Sequence, residues 1–255
     1  MRTRVALAAL IGLAVVSCAS SPPSLREVTV LSGGAVKTAF TAALPAWEKQ
    51  TGHKVVANFA PAGELRRKVA AGEVTDVLIV PAELLPEIEK AGALVPGSRR
   101  DLGAVSIGAA VRAGARVPDI STPEALKRAL TEARSLTYMD PSRGTSGKHV
   151  DEVVLPKLGI RDAVRAKATL GDGGFIAEKV ARGEVELAIH QMSEMLPVAG
   201  VTIVGPLPAS LQKVTVYSGA VMKGAKNPAE AQALLDYLVS PAGRREFLGR
   251  GFAAP

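Results

Sequence analysis

The chain has 255 residues, of which 47% are hydrophobic, 22% charged and only 4% aromatic, with a formal net charge of +7. This composition argues against a disordered chain, and the few aromatic and scattered basic residues argue against a nucleic-acid surface. The length suits one α/β protein of two lobes, and the basic surplus is expected to steer small anions toward it.

The cysteine and histidine content limits the chemistry that the chain can carry out. Cys18 is the only cysteine, so we expect no disulfide framework and no thiolate metal cluster. The three histidines, His53, His149 and His190, are far apart and do not have the H-x-x-x-H spacing of a helical zinc site. We therefore predict a protein that uses no metal and no other cofactor.

Residues 1–24 have the features of an export leader and a tether. A basic start precedes an apolar run over residues 5–16, which is too short to cross a bilayer. The run ends at Val15-Val16-Ser17-Cys18, which resembles the lipobox of bacterial lipoproteins, in which the cysteine is lipidated. The alternative is ordinary cleavage just beyond, near Ala19 or Ser21. Either leader predicts a periplasmic protein, whose only attachment to the membrane would be a lipid on Cys18.

From residue 27 onward the pattern alternates strands and helices, beginning with a β-branched strand that ends in Gly33-Gly34. The predicted elements are a strand at 27–32, a helix carrying Phe40, Leu44 and Trp47, a strand at 54–59, a helix at 64–71, a buried strand at 76–80 and a helix at 86–91. This spacing predicts βαβ units and a mostly parallel sheet. The apolar segment 105–111 is then predicted to leave the first lobe for a second one.

The alternation continues in the second lobe. A helix is predicted to begin at Pro123, with Ser121 or Thr122 as its cap. The remaining predicted elements are strands at 135–139, 166–170, 185–190, 201–204 and 213–221, and helices at 150–158, 175–182, 228–238 and 241–248. We predict that lobe 1 comprises residues 26–105 and 218–255, that lobe 2 comprises 106–217, and that the hinge lies at 105–108 and 215–218.

The loop Asp140-Pro141-Ser142-Arg143-Gly144-Thr145-Ser146-Gly147-Lys148-His149 is the most informative stretch for function. It joins a predicted strand to a helix, where unpaired backbone N–H groups and the helix dipole favour an anion. Arg143 and Lys148 add full charges, and an arginine suits a carboxylate or another oxyanion. The alternative is an ordinary capped turn, in which Thr145 or Ser146 is the helix N-cap.

Together these features resemble the type II periplasmic solute-binding proteins, in particular the molybdate-binding protein-like family. The resemblance rests on the order and spacing of short motifs over nearly the whole mature chain: residues 28–40, Phe59-Ala60-Pro61-Ala62-Gly63-Glu64-Leu65, Ala71-Gly72 with 76–79, Asp140-Pro141 with Ser146-Gly147, Leu187-Ala188-Ile189, and Tyr237-Leu238 with Ser240-Pro241. It implies an α/β fold of two lobes, with two mixed, mostly parallel sheets flanked by helices and a central cleft. It also implies a monomer that delivers a small anion to the permease of an ABC transporter.

The ligand residues of the family carry over only in part. Molybdate binders have serines after the first and second strands, where this chain has Ala35 and Ala62. Gln191 stands at a tyrosine position, and Gly173 stands where the family uses a backbone donor. The loss of two hydroxyl donors favours an organic di- or tricarboxylate over molybdate, because a buried oxyanion needs several hydrogen bonds. The predicted ligand-binding residues are Ser32, Gly33, Gly34, Ala35, Ala62, Arg143, Thr145, Ser146, Gly173, His190 and Gln191.

The chain also resembles aconitate isomerase, a periplasmic enzyme of the same family that moves a double bond in a tricarboxylate without a cofactor. Such a 1,3-proton shift needs an anion clamp and a positioned base. Arg143 is the candidate clamp, and His149 or His190 is the candidate base, since histidine titrates near neutral pH. Three functions therefore remain open: a binding protein for an organic anion, a cofactor-free isomerase, and a sensor or scavenger lipoprotein.

Overall fold

The computed structural model describes residues 25–255, so the predicted leader and Cys18 lie outside the described residues. The strands in this range are β1 (Glu27–Gly33), β2 (Lys54–Ala60), β3 (Val77–Pro81), β4 (Arg100–Arg112), β5 (Leu136–Met139), β6 (Ala168–Gly171), β7 (Leu187–Gln191), β8 (Val201–Pro206), β9 (Val214–Val221) and β10 (Phe252–Ala253). The α-helices are α1 (Lys37–Thr51), α2 (Ala62–Ala70), α3 (Leu85–Lys90), α4 (Pro123–Glu132), α5 (Thr145–His149), α6 (Leu155–Leu158), α7 (Arg161–Arg165), α8 (Glu178–Ala181), α9 (Met192–Met195), α10 (Pro228–Leu238) and α11 (Pro241–Leu248).

A mixed sheet runs through this part of the chain in the order β2-β1-β3-β9-β4-β7-β5-β6, and β8 and β10 also pair with β4. β1 is parallel to β2 and β3, and β5 is parallel to β6 and β7. The antiparallel pairs within residues 25–255 all include β4 or β9, which join the two groups. We call the group with β1–β3 lobe 1 and the group with β5–β8 lobe 2. The predicted two-lobed α/β class is confirmed.

The long strand β4 belongs to both lobes. Its residues 100–106 pair with β9, with a bulge between Asp101 and Gly103, and its residues 107–111 pair with β7. The change of partner falls inside the segment 105–108 that the sequence analysis assigned to the hinge. β4 begins earlier than the predicted residue 105, because Arg100 already pairs with Gly219 of β9. The two lobes are therefore joined by a hydrogen-bonded strand.

Helices cover both faces of the sheet in each lobe. In lobe 1, α1, α10 and α11 pack on one face through Phe40, Trp47, Leu234 and Phe247, and α2 and α3 pack on the other through Leu65, Leu85 and Ile88. In lobe 2, α4 and α6 bury Leu126, Leu130 and Leu155, and α8 and α9 bury Val180 and Met195. Strands β3, β5 and β7 are buried at every residue, which explains why they are largely apolar.

Local signals in the sequence predict most helix ends. Thr122 caps α4, because its Oγ1 accepts a hydrogen bond from the Ala125 N–H at 3.1 Å, and Pro123 takes the first helical position. Gly52 ends α1 with φ 75°, a conformation that favours glycine. The predicted cap at Thr145 or Ser146 is wrong, since Gly144 is the N-cap of α5 and no side chain caps this helix.

Other boundaries differ from the predictions. The helix expected at 150–158 already begins at α5, and it continues through a π-helical turn, Val150–Val154, into α6. The helix expected at 175–182 is shorter in the structure, where only α8, Glu178–Ala181, is α-helical. The sequence analysis did not predict β10, whose Phe252 pairs with Val105 and packs against the Phe247 ring. Within residues 25–255, no helix is both long and apolar enough to cross a membrane.

Candidate functional site

The carboxyl ends of five parallel strands meet at one cavity between the lobes. β1 and β2 end at it in lobe 1, and β5, β6 and β7 end near it in lobe 2, which is where open α/β sheets bind their ligands. Its volume of about 140 Å³ is close to that of a cavity that holds a benzene ring, so it suits a small molecule. The lining residues are Gly33, Gly34, Ala35, Lys37, Phe59, Ala60, Pro61, Ala62, Met139, Gly144, Thr145, Ser146, Gly173, Gly174, Phe175, His190, Gln191, Glu194 and Tyr217.

Two glycines let the lobe 1 wall approach the rest of the site closely. A Cβ on Gly33 would lie 2.8 Å from the Tyr217 ring, and a Cβ on Gly34 would lie 2.9 Å from Glu194 Oε1. A side chain at position 33 would therefore require the buried Tyr217 ring to move, whereas one at position 34 would displace only the end of the Glu194 side chain. The neighbouring methyl groups of Ala35 and Ala62 line the cavity without offering a hydroxyl.

A buried histidine lies between a hydroxyl and a carboxylate in the lobe 2 wall. His190 is only 3% exposed, and its Nδ1 lies 3.0 Å from Ser146 Oγ. Its Nε2 lies 3.1 Å from Glu194 Oε2, four residues further along the chain. This second pair is within contact distance but is not aligned as a hydrogen bond, so Nε2 has no hydrogen-bond partner among the described residues. The imidazole is thus fixed in orientation and retains hydrogen-bonding capacity.

Gln191 places an unsatisfied amide next to this histidine. The Tyr217 hydroxyl donates to Gln191 Oε1 at 3.0 Å, which fixes the side-chain amide. Burial, followed by the nearby charge of Glu194, raises the pKa of Tyr217, so this phenol remains a donor. Gln191 itself is 2% exposed, and within the described chain its Nε2 has no hydrogen-bond partner. An unsatisfied buried donor costs about 1–3 kcal/mol, a penalty that an acceptor on a ligand would remove.

A lysine lies between two aromatic rings that also line the cavity. Lys37 Nζ lies 5.8 Å from the centroid of the Phe59 ring in lobe 1 and 5.6 Å from that of the Phe175 ring in lobe 2. Both distances are within the range of cation–π attraction. The ammonium group therefore adds a positive charge beside the cavity and contacts both lobes.

Backbone and side-chain contacts hold the two lobes together at the cleft. The Gly63 N–H donates to the Arg143 carbonyl at 2.9 Å, and Arg143 Nη2 lies 3.7 Å from Glu64 Oε2. A Cβ on Gly63 would lie 2.8 Å from the Ser142 carbonyl oxygen, so the two backbones touch here. The structure therefore represents a closed arrangement of the cleft.

Nine of the eleven predicted ligand-binding residues line the cavity: Gly33, Gly34, Ala35, Ala62, Thr145, Ser146, Gly173, His190 and Gln191. Ser32 is buried beside it and its hydroxyl donates to the Gly33 carbonyl at 3.2 Å. Arg143 lies on an adjoining outer groove. His149 lies away from the cavity, with Nε2 2.9 Å from the Leu211 carbonyl oxygen. The described residues contain no cluster of three metal-ligating side chains.

The sequence analysis missed several lining residues. Lys37 is the first residue of α1 and Phe59 lies near the end of β2, and neither was among the predicted ligand-binding residues. Glu194 lies four residues after His190, a spacing that brings side chains together only if a turn of helix follows the strand at once, as α9 does. Tyr217 comes from β9, and only the sheet topology brings it to Gln191.

The sequence profile of the bacterial extracellular solute-binding proteins matches residues 28–253, so the chain belongs to this family. An aconitate isomerase of Pseudomonas sp is 35% identical over 240 residues, which cover 92% of this chain and 90% of that protein. The molybdate-binding protein ModA of Azotobacter vinelandii is 30% identical over 249 residues, which cover 92% of each chain. The solved structure of the periplasmic molybdate-binding protein of Azotobacter vinelandii has a TM-score of 0.75 and 20% identity, over 89% of this chain and 99% of that chain.

Family membership fixes the general type of protein. The chain is an extracytoplasmic solute-binding protein of the kind that works with ABC transporters, and the resemblance to the molybdate-binding-like group is confirmed. The two relatives have different ligands according to their names, so the particular solute must be argued from the cavity itself.

Proposed function

We propose that the cleft binds a small organic polycarboxylate, which the protein delivers to the permease of an ABC transporter. The main support is the buried Gln191 side-chain amide: its Nε2 has no hydrogen-bond partner among residues 25–255, and it lines a cavity in which Ala35 and Ala62 stand where molybdate binders have serines. Lys37 and His190 add further donors at separate points of the wall. Donors distributed in this way suit several carboxylate groups on one carbon skeleton better than a single tetrahedral oxyanion.

The test is calorimetric titration of the purified protein with trans-aconitate, citrate, sulfate and molybdate. We expect a tricarboxylate to bind more tightly than either inorganic anion. Gln191→Leu should weaken that binding about tenfold or more, because the variant keeps the volume but loses the donor. Tight molybdate binding combined with no tricarboxylate binding would overturn the proposal.

A second function, isomerisation of an unsaturated tricarboxylate, is favoured by the arrangement of Ser146, His190 and Glu194. This arrangement provides a buried base with a fixed ring orientation, and the relative that is 35% identical is named aconitate isomerase. In this reaction the His190–Glu194 pair takes a proton from the methylene carbon next to the double bond. The electron pair forms the new C=C bond, and the far carbon of the old double bond receives a proton from the same pair. Atoms and electrons balance without a cofactor.

Histidine variants separate catalysis from binding. The protein is incubated with cis- and trans-aconitate in D₂O, and interconversion and deuterium incorporation are followed by NMR. We expect His190→Gln to abolish both and His149→Gln to leave both unchanged, since His149 contacts the Leu211 carbonyl away from the cavity. Wild-type protein that binds these acids without interconverting them would remove the enzyme function and leave the transport function.

A further inference from the structure

A larger groove adjoins the cavity on its outer side. Its volume is about 510 Å³, and it shares Ala62, Gly144 and Thr145 with the cavity wall, so the two spaces are adjacent. Arg66 reaches it from α2 in lobe 1. Four more basic side chains reach it from lobe 2: Arg143, Lys148, Arg161 and Arg165. The function proposed above does not use this groove.

The acidic residues of the groove do not cancel its positive charge. The Asp151 carboxylate forms ion pairs with Arg161 and Arg165. Glu83 pairs with Lys213, with Oε2 2.8 Å from Nζ. Glu152 lies only at the limit of ion pairing, 4.0 Å from Lys148 Nζ. Glu64 is not a lining residue, and its Oε2 lies 3.7 Å from Arg143 Nη2. Arg66 has no ion pair within the part of the chain that the structure describes, so a net positive field remains between the lobes.

Two of the arginines, Arg161 and Arg165, are held in place by the buried carboxylate of Asp151. Asp151 lies on the π-helical turn and is 1% exposed. It accepts hydrogen bonds from Arg161 Nη2 at 2.7 Å, from Arg165 Nε at 2.6 Å and from the Tyr138 hydroxyl at 3.0 Å. Neither guanidinium has another acceptor among residues 25–255, so each retains N–H groups for a ligand. An arginine that is already anchored loses less conformational entropy when it binds an anion.

We propose that this groove is a second oxyanion subsite, which takes a carboxylate or phosphate group between Arg66 of lobe 1 and the Asp151-anchored arginines of lobe 2. The occupant contacts both lobes and so favours the closed cleft. Two kinds of molecule carry an oxyanion that fits this groove. The oxyanion is either the distal group of a long ligand that begins in the inner cavity, or a separate anion that binds beside the first ligand.

The test uses inorganic phosphate and trans-aconitate as probes, followed by calorimetry and by ³¹P NMR line broadening. We expect Arg66→Gln to weaken phosphate binding about tenfold, the effect of one charge-assisted hydrogen bond. Arg67→Gln is the matched control, because it removes the same charge from the same helix outside the groove and should change phosphate affinity less than twofold. Equal effects of the two variants would overturn the proposal, since they would indicate that phosphate responds only to the overall positive charge of the protein.

Competition identifies the source of the oxyanion and keeps this proposal separate from the inner site. If trans-aconitate displaces phosphate and Arg66→Gln weakens both, the groove holds the distal group of one ligand. If both bind together, it holds a separate anion. In Gln191→Leu, phosphate should still bind, even if the tricarboxylate does not. Phosphate binding that is lost in Gln191→Leu but kept in Arg66→Gln would refute the second subsite.

Discussion

The buried carboxylate of Asp151 provides the sharpest quantitative prediction. Burial, the largest single influence, acts to raise its pKa, but hydrogen bonds from Arg165, Arg161 and Tyr138 outweigh it and lower the pKa from 3.8 to about 2. That difference corresponds to about 2 kcal/mol of extra native-state stability for the charged form, at about 1.36 kcal/mol per pKa unit. Asp151→Asn keeps the shape and removes the charge, so it should lose about this amount.

The sign of the pH dependence follows from the lowered pKa. A carboxylate whose pKa is lower in the folded state stabilises the protein fully above its unfolded pKa, here about pH 4. This contribution falls as the pH drops toward about 2. The difference in unfolding free energy between wild type and Asp151→Asn should therefore be constant from pH 5 to 7 and shrink below pH 4.

The assay is urea unfolding at a series of pH values, supported by thermal melts. At pH 7 we expect a loss of about 2 kcal/mol and a Tm lower by about 4–8 °C, given about 2–4 °C per kcal/mol for a chain of this size. Asp162→Asn is the matched control, because Asp162 is exposed on α7 and has no ion pair within residues 25–255. If both variants lost the same stability, or if the difference persisted unchanged at pH 2.5, the reasoning would be refuted.

Three further predictions concern the cavity and its supports. Tyr217→Phe should weaken tricarboxylate binding about tenfold in calorimetry, because Gln191 Oε1 loses its only donor in the described chain; unchanged affinity would remove Gln191 from the site. The double variant Ala35→Ser and Ala62→Ser should bind molybdate about tenfold more tightly than wild type, because it restores two hydroxyl donors; no gain would mean that these positions do not face the ligand. Gly147→Ala should lower stability by about 1–3 kcal/mol or more in urea unfolding, since its Cβ would collide with the Met139 carbonyl oxygen; a normal unfolding midpoint would contradict this packing.

The sequence contained enough information for the fold and for most of the cavity wall. Alternating strands and helices imply parallel strands whose carboxyl ends share one edge, so residues at or beyond those ends, such as Gly33, Ser146 and His190, could be grouped correctly. The same logic does not reach residues on antiparallel strands. Tyr217 lies within β9, where alternation predicts burial but not which residue across the cleft it meets.

Local preferences were also a weak guide where backbone geometry competes with them. The rule that serine and threonine cap helices predicted Thr145 or Ser146, whereas the helix begins at Gly144, and Ser146 Oγ instead contacts His190. His149 had the right chemistry and the right loop, but four residues of helix turn it toward the Leu211 carbonyl. These differences depend on helix rotation, which a sequence pattern does not resolve when the first helical residue is uncertain.

The continuity of strand β4 through both lobes bears on how the lobes can move relative to one another. β4 pairs with β9 up to Ser106 and with β7 from Ile107 onward. Any opening of the cleft must therefore bend a strand that is hydrogen-bonded on both sides of this point. We therefore expect opening of the cleft to be limited to motions that bend or twist β4 while it keeps its hydrogen bonds to β9 and β7.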